Sequence, residues 1–204
     1  MFNEKKLLFI TISASLVLVL SSCGKTIVAY EDPNGVDTTS INFSSTDLQA
    51  ITNKMAEDML NSPAVKRITT MYTPTLFFNN IRNETREHIN TTMLSNTVQT
   101  QIIKSGLFQV TDMSQIKNIR EQLGYQANSG MVDQATATKI GQHIGARYMV
   151  YGSIQDIDNT NVDGDKRSKF FLTTLKMLDL KTGLVVWQND KQIRKSQTKS
   201  TFGW

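Results

Sequence analysis

An α/β fold of the α+β type is predicted for the bulk of this chain. It consists of a mixed, largely antiparallel sheet of four to five strands flanked by about four helices. Three observations predict it. Apolar residues recur at helical spacing in Leu48, Ile51, Met55 and Met59 and again in Leu94, Val98 and Ile102. Runs such as Thr75–Ile81 and Tyr148–Gln155 are rich in β-branched and aromatic residues. Two further apolar runs flank Lys181-Thr182-Gly183, a hairpin signature. With 39% hydrophobic and 20% charged residues among 204, a single packed core is affordable.

The elements follow in order. Thr46 and Gln49 have capping-box spacing, so a first helix is expected over 46–60, with Pro63 beyond its end. Its apolar stripe reads as core rather than as a docking face. Residues 66–82 read as extended, with Thr75–Ile81 as a central strand. Asn90 can cap a helix over 91–105, and Gly106 stands where a C′ glycine belongs. Leu107 to Thr111 is a short strand. A helix capped by Asp112 or Ser114 and ended by Gly124 is expected through Ile116, Ile119 and Leu123, and another over 133–144 through Ala137, Ile140 and Ile144. Tyr148 to Gln155 is a strand, Asp156 to Lys166 a charged loop, and Phe170–Leu178 with Leu184–Ile193 a hairpin. The tail from Arg194 either covers a sheet edge or is loose. The expected order is α-β-α-β-α-α-β-β-β.

The N-terminus has a different composition. Lys5 and Lys6 precede a mostly apolar run, Leu7 to Leu20, and Ser21 and Ser22 lead to Cys23, the sole cysteine. This is the pattern of a secretory leader, and Leu20-Ser21-Ser22-Cys23 looks like a bacterial lipobox. The run is shorter than the roughly 20 residues of a spanning helix. Acyl chains on Cys23 would anchor the mature chain stably. Three regions are expected: a signal peptide over 1–22, a lipidated flexible tether over 23–45, and a globular domain over 46–204. Glu31-Asp32-Pro33-Asn34-Gly35 and the absence of apolar periodicity mark the tether as poorly ordered. Fully extended, its 24–44 stretch reaches at most about 70 Å. Gly24, rather than Asp, follows the cysteine. By analogy with enteric bacteria this favours the outer membrane. With Cys23 lipidated, no cysteine remains for a disulfide.

Charge and motifs exclude more than they indicate. Net charge is +4, and removing residues 1–22 takes two lysines and one glutamate, leaving +3. That is no nucleic-acid signal. His88 follows Glu84 and Glu87, which allows an acid–base pair, but no nucleophile motif accompanies it. No zinc-type spacing links His88 to His143. Asn159-x-Asn161-x-Asp163-Gly164 imitates a calcium loop, yet its twelfth position is Phe170, where a bidentate glutamate is required. No phosphate loop or G-x-S-x-G elbow occurs. No catalytic residue, metal or cofactor is therefore expected. Gly141-x-x-x-Gly145 has the spacing of a membrane dimerisation face, but its polar surroundings favour packing on a sheet. Lys166, Arg167 and Lys169, and Lys191, Arg194 and Lys195, read as a solvated edge; contact with an acidic partner is the minority reading. The polar Asn83–His88 segment follows an apolar strand, so Asn83, Thr85, Glu87 and His88 are candidates for a partner-docking face. They equally suit ordering the loop before the next helix.

Several stretches together resemble one family. They are Asn79-Asn80-Ile81-Arg82-Asn83-Glu84-Thr85-Arg86-Glu87-His88-Ile89, Ser105-Gly106-Leu107-Phe108, Gly145-Ala146-Arg147-Tyr148-Met149-Val150-Tyr151-Gly152-Ser153-Ile154 and Leu178-Asp179-Leu180-Lys181-Thr182-Gly183-Leu184-Val185-Val186-Trp187. The mature part resembles the LpoB group of penicillin-binding protein activators, outer-membrane lipoproteins. The Gly-Ala-x-Tyr and Asp-x-Lys-Thr-Gly pieces are similar to those of the TolB N-terminal and CsgG-like domains as well; the 83–89 piece is more discriminating. The resemblance implies a non-enzymatic, monomeric protein on the periplasmic face of the outer membrane. Such a protein docks on the regulatory domain of a bifunctional, class A penicillin-binding protein and raises peptidoglycan synthesis. Enteric members carry a long Pro-rich tether; here it is short, with Pro33 alone. A CsgG-type envelope-assembly or secretion role is the alternative.

Overall fold

The computed structural model describes residues 28–111 and 145–199. Cys23, the leader, the helix expected between Asp112 or Ser114 and Gly124, the helix expected over 133–144, His143 and the last five residues lie outside them. The chain divides into two compact units, Met1–Pro33 and Asn34–Trp204. The second holds every described helix and strand.

Three helices and five strands are described: α1 (Ser45–Asn61), α2 (Pro63–Thr69), β1 (Thr75–Glu84), α3 (Thr91–Lys104), β2 (Gln109–Thr111), β3 (Tyr148–Thr160), β4 (Lys166–Asp179) and β5 (Val185–Thr198). The strands form one mixed sheet in the order β2-β1-β3-β4-β5. β1 runs parallel to β2 and β3; β3–β4 and β4–β5 are antiparallel. The fold is thus α+β, with the expected sheet.

Alternation along the strands sets the core. Leu76, Phe78 and Ile81 of β1 face the helices, as do Tyr148, Val150 and Ile154 of β3 and Phe171, Leu175 and Met177 of β4. They meet Ile51, Met55 and Met59 of α1 and Leu94, Val98 and Ile102 of α3, the stripes read from the sequence. Each fully buried side chain of this size contributes roughly 1.5–3 kcal/mol. Phe77 and Met149, register partners on the other face, are buried too.

Gly152 permits the tightest approach in the sheet. A Cβ there would lie 2.1 Å from the Thr174 carbonyl oxygen and 2.7 Å from a Leu175 methyl. The β4–β5 turn is organised by Asp179, whose Oδ1 accepts the Lys181 N–H at 2.8 Å. Its Oδ2 takes the Arg147 guanidinium at 2.7 Å. Gly183 supplies the positive φ, 73°, that closes the turn.

Four expectations need correction. Residues 66–69 are helical, because Pro63 at a first helical position starts α2 rather than merely following α1. The α1 cap is not the Thr46–Gln49 pair: the Asp47 carboxylate accepts the Ser44 N–H at 2.8 Å and the Ser44 hydroxyl at 2.9 Å. The charged loop after Gln155 shrinks to 161–165 and β5 continues to Thr198, because paired polar side chains carry the ladder outward. Asp158 and Arg167 form one such ion pair. Residues 37–44 are also held in place. Ile41 is buried, and the Phe43 ring meets Phe171 edge-on at 5.7 Å.

Candidate functional site

The segment joining β1 to α3 is built by short side chains closing on their own backbone. Asn83 Oδ1 accepts the Thr85 N–H at 3.0 Å and the Thr85 hydroxyl at 2.7 Å. Asn83 Nδ2 donates to the Glu87 carbonyl at 2.8 Å, and Thr85 Oγ1 accepts the Glu87 N–H at 3.1 Å. These are the local bonds that Asn and Thr offer in turns. Ile89 is buried beneath the loop. Asn90 Oδ1 then caps α3 by accepting the Thr92 and Met93 N–H groups at 3.1 and 3.3 Å.

Glu87 reaches inward. Its Oε2 accepts the Phe43 N–H at 2.8 Å, and its Oε1 pairs with the Lys169 ammonium. Lys169 is 4% exposed and lies on the core face of β4, in line with Phe171 and Thr173. Its Nζ also donates to Asn42 Oδ1 at 2.8 Å and lies 3.9 Å from Asp158. Its register partner on β5 is Lys195. Two ammonium groups opposite each other repel. Asp47, at 3.0 Å from Lys195 Nζ, and Glu87 supply one carboxylate to each. Asn42 sits between them and also accepts from Lys195 on its carbonyl oxygen at 2.7 Å.

Of the four candidates, Asn83, Thr85 and Glu87 therefore order the loop and fasten it to β4. His88 is exposed, and its imidazole has no hydrogen-bond partner among the described residues. Arg86 is exposed as well; its N–H donates to Asp156 Oδ1 at 3.2 Å. A charged cleft of about 460 Å³ lies beside the loop, lined by Arg86, Asp158, Asp165, Arg167 and Lys199. Burial of Lys169 is the feature that sequence reading missed. A signal existed, since positions 169, 171, 173, 175 and 177 share one face.

A family model described as "Peptidoglycan-synthase activator LpoB" matches residues 47–193, from the cap of α1 to β5. The chain belongs to the LpoB family. Two curated relatives are each named penicillin-binding protein activator LpoB. That of Dickeya dadantii is 21% identical over 59% of this chain and 56% of its own length. That of Erwinia amylovora is 22% identical over 55% and 52%. The chain spans little more than half the length of these relatives. The LpoB C-terminal domain from Salmonella enterica superposes with a TM-score of 0.54 at 18% identity, covering 72% of this chain and 98% of that one. At that identity the likeness shows the fold. The family is named for activating a synthase.

Within this LpoB-family domain the calcium-like Asn159–Gly164 stretch is a hairpin turn. The Gly164 N–H donates to the Asn161 carbonyl at 3.1 Å, and Gly164 has φ 70°. Among the described residues no group of three or more His, Cys, Asp or Glu side chains could hold a metal ion. No described helix is long and apolar enough to cross a membrane. Near β1, the Tyr148 phenol is pushed up to about 12 by burial, with a hydrogen bond to Tyr72 adding to it. Burial opposes the charge on Arg147, but the Asp179 carboxylate outweighs it and raises its pKa. Through Asp179, Arg147 holds the start of β3 against the β4–β5 turn.

Proposed function

We propose that this chain is a lipid-anchored activator of a class A penicillin-binding protein, acting without chemistry of its own. Family membership over residues 47–193 carries the reading. Cys23 is the lipidated residue, and the lipid holds the protein on the periplasmic face of the outer membrane. The protein works as a monomer. It binds the synthase's regulatory domain and favours the active enzyme conformation by differential affinity.

The 83–88 loop belongs to the docking face. What supports this is that Arg86 and His88 are presented outward on a loop whose other side chains are tied down. Preorganisation of this kind lowers the entropy cost of binding. Arg86→Ala with His88→Ala tests the loop without touching its internal bonds. Co-purification with class A synthases and stimulation of glycan polymerisation should both fall at least tenfold, a difference of about 1.4 kcal/mol. Unchanged binding would remove the loop from the docking face. Failure of the unsubstituted protein to bind any class A synthase would remove the function itself. Mass spectrometry showing an unacylated Cys23 in cells would remove the anchor.

A further inference from the structure

Before α1 begins, residues 37–43 lie as a strap against the outer ends of β4 and β5. Much of the strap's order is its own. Asp37 Oδ1 accepts the Thr39 N–H at 2.9 Å and the Thr39 hydroxyl at 2.6 Å, and the Asn42 N–H donates to Ser40 Oγ at 3.1 Å. Its attachment to the domain is concentrated in a few contacts. The Asp37 N–H donates to Thr46 Oγ1 at 2.8 Å. Ile41, 7% exposed, is the one buried residue of the seven, and Phe43 is half-buried against Phe171.

Two successive strap residues touch the two members of the Lys169–Glu87 pair. Lys169 Nζ donates to Asn42 Oδ1 at 2.8 Å, and the Phe43 N–H donates to Glu87 Oε2 at 2.8 Å. The pair is shielded from water: the Lys169 side chain is 5% exposed and that of Glu87 16%. Shielding decides how firmly such a pair holds, because an ion pair opened to solvent is screened and contributes little. Glu87 is also the residue that ties the 83–88 loop to β4. The strap therefore sets the strength of the loop's attachment without touching Arg86 or His88 through any hydrogen bond among the described residues.

The rest of the domain keeps its partners when the strap is lifted away. Lys195 retains Asp47 at 3.0 Å, and Lys169 retains Glu87 and a distant Asp158. Ser44 still caps α1 through Asp47. None of the largest fully buried side chains, Phe77, Phe171, Ile51 and Met55 among them, belongs to the strap. The contacts thus define two arrangements of one fold, and they differ in the strap and in the grip on the loop.

We propose that residues 37–43 are a releasable strap that controls the 83–88 loop: docked, the strap holds the loop in order; released, it leaves the sheet and helices folded and loosens the loop. Coupling of this kind is reciprocal, so an ordered loop also holds the strap. The strap is the last stretch before α1, so the N-terminal segment acts on the loop through it. Its effect on binding rests on the docking role given to the loop; the coupling itself does not.

The test is hydrogen exchange of the full chain, read by mass spectrometry over residues 37–43, 83–89 and 172–177. Ile41→Ser, Asn42→Gly and Phe43→Gly together remove the side chains that attach the strap and leave every charged group in place. In this triple variant exchange should quicken roughly tenfold over 37–43 and over 83–89, with 172–177 unchanged. Asn83→Ala loosens the loop from the other side, since the Asn83 side chain hydrogen-bonds to Thr85 and Glu87 and to no strap residue. By reciprocity it should quicken exchange over 37–43 about threefold. Binding of the triple variant to a class A synthase should weaken roughly tenfold although Arg86 and His88 are present. Any of four results would overturn the coupling. They are strap protection that survives the triple substitution, a released strap with 83–89 unchanged, a triple variant that fails to fold or quickens over 172–177 in step, and an Asn83→Ala chain whose strap is unmoved. A parent chain that binds no class A synthase would instead remove the docking reading, and exchange would still judge the coupling.

Discussion

Replacing Glu87 by alanine is expected to cost about 3 kcal/mol of stability. The carboxylate faces the Lys169 ammonium, whose side chain is 5% exposed, and also accepts the Phe43 N–H at 2.8 Å. Without it, Lys169 keeps Asn42 Oδ1 at 2.8 Å and a distant Asp158 at 3.9 Å, still opposite Lys195. Removing one partner of a buried pair typically costs 3–5 kcal/mol, because a charge is left without compensation. The lower end applies, since Glu87 is 16% exposed and two secondary partners remain. In a domain of this size that lowers Tm by roughly 6–12 °C. Glu87→Gln with Lys169→Met removes both charges and keeps an acceptor for the Phe43 N–H. The double variant should recover most of the loss, with a coupling of about 2 kcal/mol in the double-mutant cycle. Urea unfolding of Glu87→Ala and of the four proteins of the cycle (parent, Glu87→Gln, Lys169→Met and the double variant) decides the matter. A Glu87→Ala protein within about 0.5 kcal/mol of the parent, or a cycle without coupling, would refute the buried-pair account. One practical consequence follows. Loss of synthase binding by a Glu87 variant reports on folding, so Arg86 and His88 are the positions that test docking.

Gly152→Ala should destabilise by more than about 3 kcal/mol or prevent soluble expression, since β3 and β4 must separate to clear a 2.1 Å contact; denaturant midpoints measure it. Asn90→Ala should cost about 1 kcal/mol through loss of the α3 cap and leave m unchanged. Asp158 is held below its ordinary pKa, chiefly by the hydrogen bond from Arg167. Its contribution is present above the unfolded pKa and is lost as pH falls through the folded one. Thermal melts should therefore drop below about pH 4, less so in Asp158→Asn. For Tyr148 the sign is reversed. Its phenol, raised to about 12 from 10.0, contributes below pH 10 and loses that contribution as pH rises toward 12. Tyr148→Phe should flatten that alkaline limb.

The sheet and two main helices were legible because their signals are local. Period-four stripes in α1 and α3 and period-two runs in β1, β3 and β4 each have one face to bury. What escaped depends on partners far along the chain. Asn42 is polar and sits in a stretch without periodicity, so nothing local distinguishes it from tether. It is fixed by lysines 127 and 153 residues away. Lys169 escaped for a different reason: a lysine in a charged cluster reads as solvated, and only extending the β4 alternation outward places it on the core face. The Thr46–Gln49 cap failed because Ser44 and Asp47, two residues earlier, offer the same spacing, and Asp47 is also needed by Lys195. The docking candidates were legible as a cluster but not as individuals. Sequence spacing cannot tell Glu87, turned inward to Lys169, from His88, turned outward.

That division within four residues bears on how such a loop can recognise a partner. A loop held only by its ends would lose about 1–2 kcal/mol of backbone freedom for each residue ordered on binding. Here Asn83, Thr85 and Glu87 have already fixed the backbone by bonds to one another, and Glu87 ties it to β4 and to residue 43. The outward side chains are thus carried on backbone whose ordering entropy is lost during folding rather than on contact. Affinity gained this way needs few contacts. It also makes the inner shell and the outer shell separable by experiment: loosening Asn83 or Thr85 should weaken binding through entropy with contacts unchanged, whereas trimming Arg86 or His88 removes contacts from an intact frame. Calorimetry distinguishes the two. Asn83→Ala should leave the binding enthalpy near the parent value while the entropy worsens. A loss confined to enthalpy would mean that Asn83 itself touches the partner and that the loop's order is incidental.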